Sequence, residues 1–394
     1  MRNWRRPRGL HVDRRAYIIP AMSRPLLWIL AIVAVILVAF FFGLSPFVAA
    51  RMNVVNAAQA IPVSPGAAAL HATLRIVDLH DDLLLWDRDV LGPSSHGHTD
   101  VARMVAGNIA LQVFSTVTKT PRGQNYTRND STTDNITLLA IASRWPPRTW
   151  GSRLQRALVQ ARKLERAEAA SGGRLVIART RAGLASALEA RASAPGAKPV
   201  IGILNTEGLQ AIDGKAGNVD TLFAHGFRMA GLTHFFDNEV AGSAHGTNRG
   251  GLTALGREAI TRMESLKMIV DLAHASPAAF DEVIAMATRP MAVSHGGVRA
   301  TCPDRATSAT SSSAHSLQGA GSSASDSGTA RSAPPHRATS RRRSATPSTW
   351  RESTTSRSAP TGMEERPLRL ARTAWSRSRR RSSMPGSARW RFVP

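Results

Sequence analysis

Between Leu74 and His295, short apolar runs alternate with helical patterns, and five of the six runs are followed within three residues by an imidazole or a carboxylate. The candidate strands cover residues 74–79, 109–117, 200–204, 227–233, 268–272 and 291–293. Between the fourth and fifth, Leu252, Leu255, Ala259, Met263 and Leu266 recur at helical spacing behind Gly250-Gly251. A further helix opens at Ser276-Pro277, a capping residue followed by proline at the first helical position, and runs to about residue 288 before Arg289-Pro290. Strands alternating with helices predict an α/β fold with a parallel sheet.

The residues just past the strands narrow this further. His80 and Asp82 follow the first, in Asp78-Leu79-His80-Asp81-Asp82, and Glu207 follows the third, in Asn205-Thr206-Glu207-Gly208. His234, His274 and His295 follow the fourth, fifth and sixth. In a (β/α)8 TIM-type barrel the C-terminal strand ends form one mouth, so these six groups would converge there. Imidazole and carboxylate donors suit Zn²⁺, and a carboxylate can bridge two ions. A dinuclear centre makes a hydroxide available at neutral pH and polarises a carbonyl, which is the chemistry of hydrolysis. His71, His96, His98, His225 and His245 read as loop or surface residues, and Asp78, Asp81 and Asp271 as turn residues or supports behind the ligands.

Pro25 to Leu44 is an almost unbroken apolar run, and twenty helical residues span roughly 30 Å, the thickness of a bilayer core. Seven arginines precede it, from Arg2 to Arg24, and this excess assigns residues 1–24 to the cytoplasmic side. Residues 25–45 then read as a single-pass transmembrane signal anchor and 46–69 as a linker, with the following domain on the periplasmic or extracellular side. Cleavage near Phe47-Val48-Ala49-Ala50 and a start at Met22 are both compatible with the pattern.

The formal charge of +24 would suit a nucleic-acid binder, but its distribution does not. Residues 1–24 carry +6, residues 304–394 carry +12, and the 279 residues between them carry only +6. A tail on the far side of a membrane has no access to nucleic acid, so none is expected as a partner. Residues 304–394 hold seventeen Arg, no Lys and no Ile, with abundant Ser, Ala and Pro and no amphipathic period. Taken literally this is a disordered basic tail. Arg-only basicity of this kind is also what a GC-rich gene yields out of frame, and the reading frame is expected to change near Cys302–Arg305. Cys302, the single cysteine, excludes a disulfide framework and a Cys-rich zinc module.

Over about residues 70–303 the sequence resembles the membrane dipeptidase (renal dipeptidase) family of zinc metallopeptidases. The resemblance rests on His80-x-Asp82, Glu207-Gly208 and Gly231-Leu232-Thr233-His234, and most specifically on the stretch 251–300. That stretch contains Gly251-Leu252-Thr253-Ala254-Leu255-Gly256-Arg257-Glu258, Met268-Ile269-Val270-Asp271-Leu272-Ala273-His274 and Ser294-His295-Gly296-Gly297-Val298-Arg299-Ala300. The resemblance implies a (β/α)8 barrel in which His80 and Asp82 hold one zinc, His274 and His295 the other, and Glu207 bridges them. It also implies that His234 contacts the oxyanion formed when a hydroxide attacks a dipeptide. The family barrel needs two more strands after the sixth. Residues 70–303 are therefore expected to form a barrel truncated after about six strands, and this chain to be impaired.

The reading that follows is a membrane-anchored dipeptidase with two Zn²⁺ ions and a dipeptide substrate, to which a homodimeric state is open. A second reading is a metal-dependent amidohydrolase that removes the acyl group of N-acyl amino acids. A third, non-enzymatic one is an interaction protein that uses its basic tail. Residues 118–135 and 237–248 are the loops expected to set substrate preference.

Overall fold

The computed structural model describes residues 23–55, 62–194, 196, 198–298 and 307–308. The tail expected to be out of frame lies outside the described residues except for Thr307–Ser308, as do residues 1–22.

The N-terminal apolar segment is one continuous helical stretch: α1 (Arg24–Val38), a π-helical turn (Ala39–Leu44) and α2 (Ser45–Met52). It is the one described helix long and apolar enough to cross a membrane, by length and composition. Its far end is held by the domain. Ser45 and Ala49 are buried, Ser45 Oγ lies 2.7 Å from Ser143 Oγ, and Gly97 N–H donates to the Asn53 carbonyl at 2.7 Å. Helix thus continues into the segment expected as a linker, and Pro65–Thr73 forms α3 behind its Ser64 cap.

The domain then runs β1 (Ile76–Asp81), α4 (Val101–Ala106), β2 (Ile109–Val117), α5 (Asn135–Ala142), α6 (Arg148–Gly151), α7 (Arg153–Ala170), β3 (Leu175–Ile177) and α8 (Arg181–Ser193). It continues with β4 (Val200–Glu207), α9 (Asn218–Ala224), β5 (Phe227–Gly231), α10 (Ala254–Ser265), β6 (Ile269–Asp271) and α11 (Pro277–Met286). A short pair, β7 (Gly297–Val298) and β8 (Thr307–Ser308), stands apart. All pairings in the main sheet are parallel, in the order β1-β2-β4-β5-β6. The outer edge of β4 is shared: β3 pairs with Val200 to Gly202, and β5 with Leu204 to Thr206.

The result is an α/β fold with a curled parallel sheet, a partial (β/α)8 barrel. Past β6, Ala292 donates its N–H to the Val270 carbonyl and accepts from Leu272 N–H, both at 2.9 Å. The run expected as a sixth strand at 291–293 is therefore a single bridge to Asp271, in the place of the next strand. Among the described residues no strand pairs with the outer edge of β1, and Val77 and Leu79 are exposed.

Helices cover the sheet. α7 buries Leu154, Ala157, Leu158, Ala161 and Leu164, the spacing of one helical face, against the same core as Phe114 of β2 and Phe227 of β5. Side-chain caps start both helices: Ser276 Oγ accepts from Ala279 N–H where the sequence places it, whereas Thr253 Oγ1 accepts from Gly256 N–H, so the helix expected behind Gly250-Gly251 begins at Ala254 and leaves Leu252 outside it, bridged to Ala241. β1 and β4 both run further than their apolar residues do, so His80 lies within β1 and Glu207 ends β4. The C-terminal ends of barrel strands carry polar side chains toward the mouth, so hydrophobicity alone undercounts their length.

Candidate metal centre

The side chains at the strand ends meet around one carboxylate. Glu207 Oε1 lies 3.1 Å from His274 Nε2, 3.4 Å from His80 Nε2 and 3.6 Å from His295 Nε2, while Oε2 lies 3.2 Å from His234 Nε2. His80 Nε2 is also 3.4 Å from Asp82 Oδ1, and His295 Nε2 is 2.8 Å from His274 Nε2. All six groups expected to converge are thus within one cluster. Two overlapping ligand groups result, His80 with Glu207 and His295, and Glu207 with His234 and His274.

Three features fit this donor set to metal. First, Asp82 Oδ1 and Glu207 Oε2 are buried oxygens without a hydrogen bond, an expensive state for a carboxylate unless a cation meets it. Second, two donors at about 2.0–2.1 Å from a tetrahedral zinc stand roughly 3.3 Å apart, which is the scale of the separations found here. Third, the outward nitrogens of two rings are held. His80 Nδ1 is 3.1 Å from Ser115 Oγ, which in turn accepts from Asn205 Nδ2 at 2.6 Å. His295 Nδ1 is 2.8 Å from Ser294 Oγ, which donates to Asp271 Oδ2 at 2.6 Å. An Nδ1–H held in this way leaves Nε2 with its lone pair toward the centre, the usual arrangement of a ligating histidine.

Electrostatics without metal point the same way. Burial opposes a charge on His80, but Glu207 and Asp82 outweigh it and raise its pKa to about 10. Burial likewise works against ionisation of Glu207, yet His234, His80 and the His274 contact hold its carboxyl well below the usual range. For His234 burial wins and lowers the pKa to about 3; His295 is lowered well below its ordinary value for the same reason. A His80 imidazolium therefore faces the ionised Glu207, with the neutral rings of His234 and His295 beside the pair.

Local structure places each group. Asp78 Oδ1 and Asp81 Oδ1 accept from the N–H of His80 and Leu83, shaping the turn out of β1. Asp271 Oδ1 accepts from Ala273 and Ser294 N–H, which ties the two segments carrying His274 and His295. His274 sits in the left-handed region at φ 62°, a conformation that costs a non-glycine residue about 1–2 kcal/mol and here follows directly on the strand-end turn.

His245 corrects the sequence reading: instead of lying on a surface loop it is fully buried, stacked on Phe235 at 4.8 Å and 5.4 Å from the His274 ring. Its signal in the sequence is local, a histidine between small residues in Gly242-Ser243-Ala244-His245-Gly246. Ser115 and Asn205 were also legible in principle, as polar positions in strands otherwise buried and apolar.

Residues 66–310 match the profile of the family described as membrane dipeptidase (peptidase family M19). The chain belongs to this family. Among curated proteins this M19 chain is similar to dipeptidase aclJ of Aspergillus oryzae, 36% identical over 103 residues, or 26% of this chain and 24% of the relative. It is also similar to dipeptidase verJ of Clonostachys rogersoniana, 33% identical over 98 residues, or 24% and 25% of the two chains. The chain thus aligns with about a quarter of the length of these relatives. Among solved structures, the probable dipeptidase PvdM from Pseudomonas aeruginosa shares the fold, with a TM-score of 0.52 at 17% identity over 64% of this chain and 60% of that one.

Proposed function

We propose that the chain is a membrane-anchored, zinc-dependent dipeptidase by descent, with its metals held by His80, Asp82, Glu207, His274 and His295. The observation that carries this is the Glu207 carboxylate ringed by four imidazole nitrogens at 3.1–3.6 Å, with buried oxygens of Glu207 and Asp82 that have no hydrogen bond. His80 and Asp82 would hold one ion and His274 and His295 a second, with Glu207 between them. Bound there, divalent zinc would supply Lewis acidity and bring the pKa of a water near neutrality.

The remaining roles belong to the protein. Ser115 and Ser294 hold the His80 and His295 rings so that Nε2 faces inward. His234 stays neutral because it is buried, so it offers an N–H to a developing oxyanion without adding a cation beside the metals; loss of such a donor costs roughly 10²–10³ in rate. A dipeptide is the substrate supported by the family and by its dipeptidase relatives. The helix Arg24–Met52 supports a single-pass anchor, with the arginine-rich residues 1–24 cytoplasmic and the domain on the other side.

This reading includes a change of frame near residues 302–305, which a fresh read of the DNA across codons 300–306 tests directly. With the frame restored, the protein is expected to hydrolyse dipeptides, lose activity to a chelator and regain it with Zn²⁺. Hydrolysis undiminished by exhaustive chelation refutes the metal mechanism. A panel in which N-acyl amino acids are cleaved and dipeptides are not replaces the peptidase reading with the deacylase one. Alkaline extraction that frees the chain from membranes refutes the anchor.

A further inference from the structure

A strap of three residues reaches both His234 and His274 from behind. Ser243 Oγ donates to the His234 carbonyl and accepts from His245 N–H at 3.1 Å. Ala244 N–H donates to the His274 carbonyl at 2.8 Å, and Thr233 Oγ1 donates to the same oxygen at 3.0 Å. His274 is the candidate ligand with a left-handed backbone, and two donors on its carbonyl are what keep a strained peptide in one orientation. At the side-chain level the His274 ring is backed by Phe235 at 5.1 Å and by His245 at 5.4 Å, and these two rings stack on each other at 23°.

His245 is itself anchored on its far side. Its Nδ1 lies 3.0 Å from the Tyr126 carbonyl, and its own carbonyl accepts from Asn129 N–H at 2.8 Å and Asn129 Nδ2 at 3.2 Å. The residue is 0% exposed, so it cannot touch substrate. What it can do is transmit the position of the loop at 125–129 to the ring of His274.

We propose that His245 is a positioning residue, a buried ring spacer that, with the Ser243–Ala244 strap, sets the orientation of His274 toward the metal centre. The proposal rests on the metal reading above and adds a residue outside the ligand set. Substitutions behind metal ligands typically cost about 10–100-fold in metal affinity, which sets the expected size.

The test is cobalt(II) uptake by the full chain in detergent, read by competition with a chelator and by the visible spectrum, with near-ultraviolet circular dichroism reporting the fold. The parent takes up two ions. In His245→Ala one of them is held about 10–100-fold more weakly and its visible band shifts, while the other is unchanged. His245→Phe keeps a ring against Phe235 and His274 and recovers the parent affinity to within about threefold. Thr233→Val removes only the hydroxyl donor on the His274 carbonyl, weakens the same ion, and carries the test if His245→Ala does not fold. Parent affinities and spectrum in folded His245→Ala, or in Thr233→Val where only that variant folds, overturn the proposal. So does His245→Phe binding as weakly as His245→Ala. A parent chain that takes up no cobalt has a different signature: it refutes the metal reading itself, and this inference with it.

Discussion

Replacing Arg156 with methionine is expected to be among the most damaging single changes outside the metal centre. Its side chain is 2% exposed, and its guanidinium makes five hydrogen bonds with five N–H groups. Nε donates to the Thr149 carbonyl at 2.7 Å; Nη1 donates to the Thr118 carbonyl at 2.8 Å and to Asp134 Oδ2 at 2.5 Å; Nη2 donates to Thr137 Oγ1 at 2.7 Å and to the Trp150 carbonyl at 2.8 Å. Methionine would keep the apolar stem and remove every donor. The Thr118 and Thr149 carbonyls belong to fully buried residues and would be left unpaired, at about 1–3 kcal/mol each. Asp134 loses less, because its side chain is 20% exposed and still accepts from Ile136 N–H and Thr137 Oγ1. The total is about 3–5 kcal/mol, the usual cost of breaking a buried ion pair from one side. For a domain of this size it corresponds to a fall in Tm of roughly 6–20 °C. Urea denaturation of the metal-free chain, followed by circular dichroism, measures it. Arg156→Lys restores a charge but offers three donors on a flexible stem, so it should recover only part of the loss. A cost below about 1 kcal/mol for Arg156→Met, or an Arg156→Lys variant as stable as the parent, would refute the view that this guanidinium holds residues 118–137 together.

Four further outcomes follow from the site and its loops. Glu207→Gln removes the carboxylate shared by four imidazoles and should leave fewer than two tightly bound ions by elemental analysis; two retained at parent affinity would contradict a bridging position. His80, raised to about 10, stabilises the metal-free fold fully below its ordinary value of 6.5, and this contribution disappears as pH climbs to 10. Since a ligating imidazole must be neutral, metal uptake near pH 7.5 should displace that proton, giving titration heats that vary with the ionisation enthalpy of the buffer; heats independent of buffer would oppose this. Gly242→Ala would place a Cβ 2.1 Å from the Gly250 carbonyl oxygen, backbone against backbone, and should cost about 2–3 kcal/mol in a denaturation experiment.

Much of the fold was legible because most of its strands are marked twice, by an apolar run and by a candidate ligand near its end. β2 matches its expected span of 109–117, and the helix behind Ser276 begins where its cap stands. β3 was not legible. Three residues after the Gly172-Gly173 turn are too few to show a period, and they form a strand only because β4 leaves half of one edge unfilled. The opposite error occurred at 291–293, where an apolar run pairs at Ala292 alone. In the site, groups that end strands could be found by their common offset. His245 does not share that offset, since it comes from a loop whose path is set by Asp237. That carboxylate accepts from the N–H groups of Ser243, Asn248 and Arg249, a closure across a dozen residues that no periodicity records.

That the candidate ligands stand on separate strands, from His80 on β1 to His295 past β6, bears on how the protein matures. In a small zinc module, ligands close together in the chain let the ion organise the first structure to form. Here no two successive strands supply a complete site, and joining donors so distant in sequence carries a loop-closure cost that the assembled sheet must meet first. Metal loading is therefore expected to be a late event, following folding rather than guiding it. Bound metal would then report a finished chain, and a molecule stalled before His295 is in place would be distinguishable from a mature one by its metal content alone.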